Sequence, residues 1–218
     1  MGFEGTTLLG GDVLNVANRV RWTEAEGPGA RYALWVQGCP LRCPGCCNPH
    51  MLEDREERLQ GWEEVADDIL TSPGIEGVTF IGGEPFWQAD ALAKVAGRVR
   101  EAGLSVMIFT GQTIERLKRA EREDYDALLE QTDLLIDGPF VQKLLVNDRR
   151  WIGSSNQRVH FLTDRYAHMK DERGAWKAGA NTIELRMVGG EVTINGFPDE
   201  SIVALSAASI RVKKAAGE

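Results

Sequence analysis

The middle of the chain alternates short apolar segments with segments of helical periodicity. Apolar, β-prone runs that end in glycine occur at residues 31–38, 77–83, 105–111 and 132–138. Runs of this length bounded by glycine are typical of buried parallel strands. The pattern therefore predicts four strands at these positions.

Between the predicted strands, apolar residues recur at helical spacing. One set starts at Leu59 and continues to Leu70, and a second runs from Leu92 to Val99. Thr113 is suited to capping a further helix. Strands that alternate with helices predict an α/β fold with mostly parallel strands. Because the units are too few for a closed eight-fold barrel, we predict a partial (β/α) barrel.

The pattern changes after Thr163. Residues 164–180 are polar and predict a loop or a weak helix, whereas residues 181–197 predict a β-hairpin that turns at two glycines. The tail from Ser201 predicts a terminal helix or strand. We therefore expect a partial-barrel domain at residues 1–163 and a C-terminal β-hairpin extension at residues 164–218, packed on the same domain.

Charge and composition exclude several classes of function. The net charge is −8, and the basic residues are spread along the chain rather than clustered. Binding to nucleic acid requires a basic surface, so we expect no nucleic-acid partner. The sequence has neither a membrane-length apolar run nor a basic start followed by an apolar core, so we expect a cytoplasmic protein without a membrane.

All four cysteines lie within nine consecutive residues, at Cys39, Cys43, Cys46 and Cys47. A disulfide framework would spread its cysteines to close longer loops, whereas a metal or cluster site needs thiolates around one point. The C-x3-C-x2-C spacing of the first, second and third can bind three irons of a [4Fe–4S] cluster and leaves the fourth iron to a small chelating molecule. Zinc is the alternative, with Cys47 or His50 as fourth ligand. Spacing alone favours the cluster, and we expect Cys47 to be a small buried residue.

Unusual residues follow each predicted strand. The cysteines follow the first, GGEP at residues 82–85 the second, Thr110 and a glycine the third, and DGP at residues 137–139 the fourth. The carboxyl ends of parallel strands meet at one edge of a sheet, where α/β proteins bind their ligands. We therefore expect these four segments to converge.

Together these motifs resemble a known family. The C-x3-C-x2-C segment is similar to that of radical S-adenosylmethionine proteins, and GGEP matches their second motif. Residues 26–39, 132–140 (TDLLIDGPF) and 150–159 (RWIGSSNQRV) resemble the activating enzymes of anaerobic (class III) ribonucleotide reductase and other glycyl-radical enzymes. The resemblance covers residues 26–159, and the order of several motifs is more specific than any one of them.

The resemblance implies an oxidoreductase that cleaves S-adenosylmethionine reductively at a [4Fe–4S] cluster. The resulting 5′-deoxyadenosyl radical abstracts hydrogen, most simply from a glycyl-radical enzyme, with flavodoxin or ferredoxin as reductant. It implies no catalytic acid or base. Implied cluster ligands are Cys39, Cys43 and Cys46, and implied contacts to S-adenosylmethionine are Gly82, Gly83, Glu84, Ser154 and Asn156. Thr110 and Asp137 follow the next two strands, where each suits either a polar contact to the cofactor or a cation site, or equally a helix cap or a turn.

Two further functions remain open from the sequence. One is a radical enzyme that modifies a different peptide or a small molecule, with the C-terminal hairpin shaping that site. The other is a non-catalytic iron–sulfur or zinc module, and failure of the protein to bind S-adenosylmethionine would favour this function.

Overall fold

The computed structural model describes residues 10–146, 148–172, 176, 179, 182–188 and 191–196. Seven strands of this part of the chain form one sheet, in the order β3-β1-β2-β4-β5-β6-β7. Their bounds are β1 Val13–Thr23, β2 Arg31–Val36, β3 Leu59–Gly61, β4 Gly77–Gly82, β5 Ser105–Phe109, β6 Leu134–Asp137 and β7 Arg158–Phe161.

The four predicted strands form the parallel centre of this sheet. β2, β4, β5 and β6 pair in parallel, and β1, β3 and β7 add antiparallel edges. Between β2 and β4, Val36 lies opposite Gly82, so these two strands end side by side. The sheet is open, since in the described residues β3 and β7 each pair on one side only. The predicted α/β fold with a parallel core is confirmed.

Four α-helices are present in the described residues: α1 Trp62–Leu70, α2 Ala89–Glu101, α3 Ile114–Arg119 and α4 Glu123–Glu130. Thr113 caps α3 as predicted, and its hydroxyl accepts a hydrogen bond from the Arg116 N–H. Two details differ from the sequence pattern. Leu59 belongs to β3 and is exposed, because the chain enters the sheet edge before the helix begins. α4 is short and acidic, and its periodicity alone did not predict it.

Residues of the central strands alternate between two cores, as the period of a strand requires. Val106, Ile108 and Leu135 face the helices and pack with the inner faces of α1, α2 and α4. Met107 and Ile136 face the opposite side, where they pack with residues such as Trp151, Ile152 and Tyr166. Tyr166 belongs to the short 3-10 segment Asp164–Met169, so residues after 163 contribute to the domain core.

The predicted C-terminal hairpin is confirmed as β8 Ile183–Val188 and β9 Glu191–Gly196, which pair antiparallel. It contacts the turn between β1 and β2. The Gly196 N–H donates to the buried Glu26 carboxylate at 2.8 Å, and the Glu24 N–H donates to Glu184 at 2.7 Å. The predicted terminal element from Ser201 lies outside the described residues.

Across the helices described here, none combines the length and the apolar character that a bilayer crossing requires.

Candidate functional site

The cysteines lie on a long loop at residues 37–58, which we call the cysteine loop. It leaves the carboxyl end of β2 and closes on itself, because the Gly38 N–H donates to the Met51 carbonyl at 2.9 Å and the Cys39 N–H to the Leu52 carbonyl at 3.2 Å. Gly45 has a φ of 77°, a conformation that side chains disfavour. The loop therefore holds Cys43 and Cys46 on a turn, with the Cys46 N–H donating to the Cys43 carbonyl at 3.1 Å.

All four thiols are free of disulfides. Cys39, Cys43 and Cys46 are half-buried, whereas Cys47 is exposed. The expectation that Cys47 is buried was therefore wrong: the residue is exposed, although its thiol contacts that of Cys46.

Two buried amides fix the returning half of the cysteine loop, and sequence reasoning missed both. Asn15 on β1 accepts from the N–H groups of Glu57 and Arg58, at 2.9 and 3.2 Å. Gln37 donates to the Glu53 carbonyl at 2.7 Å. A single polar residue within an otherwise apolar run is the signal that could have identified Asn15.

The GGEP turn contacts the cysteine loop directly. The Gly83 N–H donates to the Val36 carbonyl at 2.8 Å, and the Glu84 N–H donates to the Gly38 carbonyl at 2.9 Å. A Cβ on Gly83 would lie 2.2 Å from the Gly38 oxygen, and Gly82 has a φ of 108°. These glycines are thus required for the two loops to touch, which places Glu84 beside the cysteines.

The Glu84 carboxylate is the buried acidic group of this site, with 1% of its surface exposed. It accepts from the Thr110 hydroxyl at 2.7 Å, the Gly111 N–H at 3.0 Å and the Phe86 N–H at 3.1 Å. No ion pair is formed by Glu84 among the described residues. Burial raises its pKa to about 7, although the three donors oppose the shift. A buried carboxylate held by neutral donors can accept a cation or an amino group.

The segment after β6 forms the third side of the site. The backbone of Phe140 lies near the Cys43 thiol, where it opposes the rise in pKa that burial causes. Ser154 is fully buried, and its hydroxyl accepts from the Val141 N–H at 3.2 Å. The Asn156 amide donates to the Pro139 carbonyl at 2.8 Å, while its Oδ1 is buried and meets no hydrogen-bond donor in the described part of the protein. Asn156 therefore carries an acceptor that a bound molecule could use.

Asp137 occupies the same edge of the sheet but is fully committed to protein contacts. It is 0% exposed, accepts from two nitrogens of Arg158 at 3.0 and 2.5 Å, and accepts from the Ile114 N–H at 2.8 Å. His160 lies 3.0 Å away, and Arg158 also pairs with Glu115 on α3. Of the two roles that the sequence left open for Asp137, the cap is the one that these contacts describe.

The three spaced thiols differ in electrostatic surroundings. Burial, with a smaller contribution from Glu84, raises the pKa of Cys39 to about 11, and burial also raises the pKa of Cys43. A hydrogen bond from the Cys47 thiol lowers the pKa of Cys46. Thiolates are the form that binds iron, so loading of this loop would release protons.

The donor set fits a cluster with three protein ligands. Each thiolate of a [4Fe–4S] cluster binds its own iron, so the protein ligands are spread around the cluster. Three half-buried thiols on one loop, beside a buried carboxylate, match that arrangement.

Comparison with known proteins supports this fit. The family model described as "4Fe-4S single cluster domain" matches residues 25–160, more than half of the chain. The anaerobic ribonucleoside-triphosphate reductase-activating protein of Escherichia coli K12 is 31% identical over 63% of this chain and 92% of its own length. The protein of the same name from Enterobacteria phage T4 is 30% identical over 70% of this chain and 91% of its own length. This chain belongs to the radical S-adenosylmethionine activating proteins.

Membership in this family decides between the two alternatives that the cysteine spacing allowed, a [4Fe–4S] cluster and a zinc ion. The cofactors are a [4Fe–4S] cluster and S-adenosylmethionine, and the protein is an enzyme. The pyruvate formate-lyase-activating enzyme of Staphylococcus aureus USA300 is 33% identical over 66% of this chain and 60% of its own length. A solved structure of QueE from Escherichia coli aligns with a TM-score of 0.41 and 21% identity, over 46% of this chain and 53% of that one.

Proposed function

We propose that this protein activates a glycyl-radical enzyme, of which an anaerobic ribonucleotide reductase is the first candidate. This chain is similar to two kinds of activating protein, one for anaerobic ribonucleoside-triphosphate reductase and one for pyruvate formate-lyase. The observation that carries the proposal is the contact of the cysteine loop with the GGEP turn, which places the buried Glu84 carboxylate beside three half-buried thiols.

Each site residue has a proposed role in holding the cofactors. Cys39, Cys43 and Cys46 hold the cluster, and Glu84 accepts from the amino group of S-adenosylmethionine. Gly82 and Gly83 bring Glu84 to the cysteine loop, as their close backbone contacts require. When both cofactors are bound, they supply reductive cleavage of a carbon–sulfur bond and a radical that removes hydrogen from a glycine.

The remaining predicted residues divide into contacts and positioning groups. Thr110 positions the Glu84 carboxylate through its hydroxyl. Ser154 braces the segment after β6 internally by accepting from the Val141 N–H, and Asn156 offers its unpaired Oδ1 to the cofactor. Asp137 fixes the start of α3 and does not touch the cofactor.

We also propose that the chain is one domain with an attached extension, divided near residue 163. The matched family model ends at residue 160, which supports a boundary close to that position. The contribution of Tyr166 to the core and the contacts of β8 and β9 with Glu24 and Glu26 support packing of the extension on the same domain.

The first test is cofactor cleavage. The protein is reconstituted with iron and sulfide under anaerobic conditions, reduced with dithionite and supplied with S-adenosylmethionine, and 5′-deoxyadenosine is measured by chromatography. We expect product from the wild type and from Cys47→Ala, and none from Cys43→Ala. Equal loss in both variants, or no product from a fully loaded wild type, would contradict the proposed ligand set.

The second test identifies the hydrogen donor. The loaded protein is mixed with an anaerobic ribonucleotide reductase and, separately, with pyruvate formate-lyase, and electron paramagnetic resonance records the glycyl radical. We expect a radical on the reductase. Formation of 5′-deoxyadenosine without a radical on either protein would favour a different peptide or small molecule as substrate.

A further inference from the structure

An arginine-lined recess lies beside the cysteine loop, outside the contacts described above. Its cavity is about 650 Å³. Pro40 and Leu41, which lie between two of the cluster cysteines, form one side. The charged lining, which we call the arginine recess, consists of Arg116, Arg119 and Arg122 and contains no carboxylate side chain.

The charge of this recess contrasts with that of the whole chain. The protein carries a net charge of −8, so an acidic protein that approaches most of its surface meets repulsion on average. A second recess, between β1 and α1, also contains arginines, but it is lined by Glu64, Asp67 and Asp68 as well. Of these two recesses, the arginine recess is the one that has no acidic residue in its described lining and that borders the cysteine loop.

The arginines of this recess are held in different ways. Arg122 pairs with Asp124 at 2.6 Å and stacks on the ring of Tyr125, so its position is fixed by the protein. Arg116 lies close enough to Glu84 to oppose the rise of that carboxyl's pKa. Arg119 is exposed at the end of α3, where its charge faces solvent. The recess therefore contains one arginine fixed by the protein, Arg122, and one that is accessible from solvent, Arg119.

Reductive cleavage at this site requires an electron from outside the chain, because the four cysteines provide for a single cluster. Electron transfer is fast only over short distances, and encounters of electron carriers use small interfaces guided by charge. The arginine recess meets both requirements, since its wall is the cysteine loop itself.

We propose that the arginine recess is the docking site for an acidic one-electron carrier protein, which delivers its electron through residues 40–41 to the cluster. The carrier loses one electron and the cluster gains one, with no bond made or broken in that step. This inference rests on the proposed function, because only a cluster in the cysteine loop requires the carrier.

The test separates docking from chemistry by comparing two exposed charges on one helix. Arg119→Glu reverses a charge inside the recess, and Lys118→Glu makes a similar charge reversal on α3 outside it. Binding of an oxidised acidic flavodoxin to the cluster-loaded protein is measured by calorimetry at low and high salt. Formation of 5′-deoxyadenosine is measured with reduced flavodoxin and, separately, with dithionite.

We expect Arg119→Glu to weaken flavodoxin binding about five- to tenfold at low salt and to slow the flavodoxin-driven reaction, with the dithionite-driven reaction unchanged. Lys118→Glu should change the binding about twofold or less. Arg119→Gln should fall between the wild type and Arg119→Glu, which guards against a folding defect in the reversal.

Three outcomes would overturn the docking proposal. The first is that the wild type and Arg119→Glu bind flavodoxin equally well, and the second is that Arg119→Glu and Lys118→Glu weaken this binding equally. The third is that Arg119→Glu slows the dithionite-driven reaction as much as the flavodoxin-driven one, which would assign the recess to the cofactor or the protein substrate. Failure of the wild type to cleave S-adenosylmethionine with dithionite would instead contradict the proposed function, and the binding comparison would still decide the docking site.

Discussion

Each end of the central strands buries a charged side chain, and the two side chains differ in how many partners hold them. At the end where the strands begin, Arg31 is fully buried, and each nitrogen of its guanidinium donates to at least one acceptor. It donates to the hydroxyls of Thr79, Ser105 and Tyr166 and to the carbonyls of Pro28 and Val78, at 2.6–3.1 Å. The Tyr166 hydroxyl in turn donates to Glu76 at 2.5 Å.

At the end where the strands finish, the Glu84 carboxylate is equally buried but, in the described part of the chain, accepts only three hydrogen bonds, all from neutral donors, whereas Arg31 makes five and is linked through Tyr166 to the Glu76 carboxylate. A buried charge costs free energy unless its surroundings compensate it, and burial shifts the pKa of both groups towards the neutral form, lowering that of Arg31 and raising that of Glu84 to about 7. The difference shows that burial alone does not mark a functional group. The group to examine is the buried charge that has fewer partners and lies beside the cysteine loop.

Asp137 tests this distinction, because it lies at the same end as Glu84 and is equally buried, but its carboxylate is paired with an arginine. Its carboxylate accepts from Arg158 and from the Ile114 N–H. We therefore expect Asp137 to act on stability and Glu84 to act on cofactor binding, although both follow strands of the parallel centre.

The largest effect is expected at the start of the strands. Arg31→Met removes the donor from five buried hydrogen bonds, and a buried polar group left without its partner costs about 1–3 kcal/mol, so we expect a loss of about 3 kcal/mol or more. Urea denaturation measures the free energy of unfolding. The control is Arg21→Met, since Arg21 is 53% exposed in its pair with Asp68 and should contribute about 1 kcal/mol or less. Similar losses in the two variants would remove the basis of the comparison.

Asp137→Asn should have the next largest effect. A hydrogen bond to a charged group contributes about 1.5–3 kcal/mol, so we expect a loss of about 2 kcal/mol in the free energy of unfolding. The affinity for S-adenosylmethionine, measured by anaerobic equilibrium dialysis, should change less than about twofold. A large loss of affinity with normal stability would make Asp137 a cofactor contact.

Glu84→Gln should reverse that pattern. Removal of the negative charge is expected to weaken binding of S-adenosylmethionine about tenfold, or about 1.4 kcal/mol, because the amino group loses its charged acceptor. The free energy of unfolding at pH 8 should not fall, since a buried charge is removed. Glu76→Gln is the matched control, with lower stability and unchanged affinity expected. If the two variants behave alike, Glu84 has no special role.

The smallest effect is a dependence on pH. The pKa of Glu84 is higher in the folded protein than in the unfolded chain, so the folded state holds this proton more tightly, and stability falls as pH rises from about 4.5 to 7. Binding of the amino group favours the ionised carboxylate, so affinity should rise severalfold between pH 6 and pH 8. In Glu84→Gln, both the fall in stability and the rise in affinity with pH should be smaller than in the wild type. If both pH dependences are unchanged, they belong to another group, such as Glu26, whose pKa burial also raises to about 7.

Several features of the fold could be predicted because they depend on local patterns. The four parallel strands, the cap of Thr113 and the C-terminal hairpin each leave a signal within a few neighbouring residues. Edge strand β1 was not predicted, because its burial depends on which strands pair with it. The position of Leu59 in β3 has the same cause.

The sequence by itself determined the type of chemistry, since thiolate spacing and the GGEP turn are properties of short segments. Only the tertiary structure decided which polar residue does what. Glu84 and Asp137 both follow strands of the parallel centre, but a distant arginine neutralises one of them, and no described ion pair neutralises the other. Compensation of a buried charge depends on residues brought together by folding, which no local pattern records.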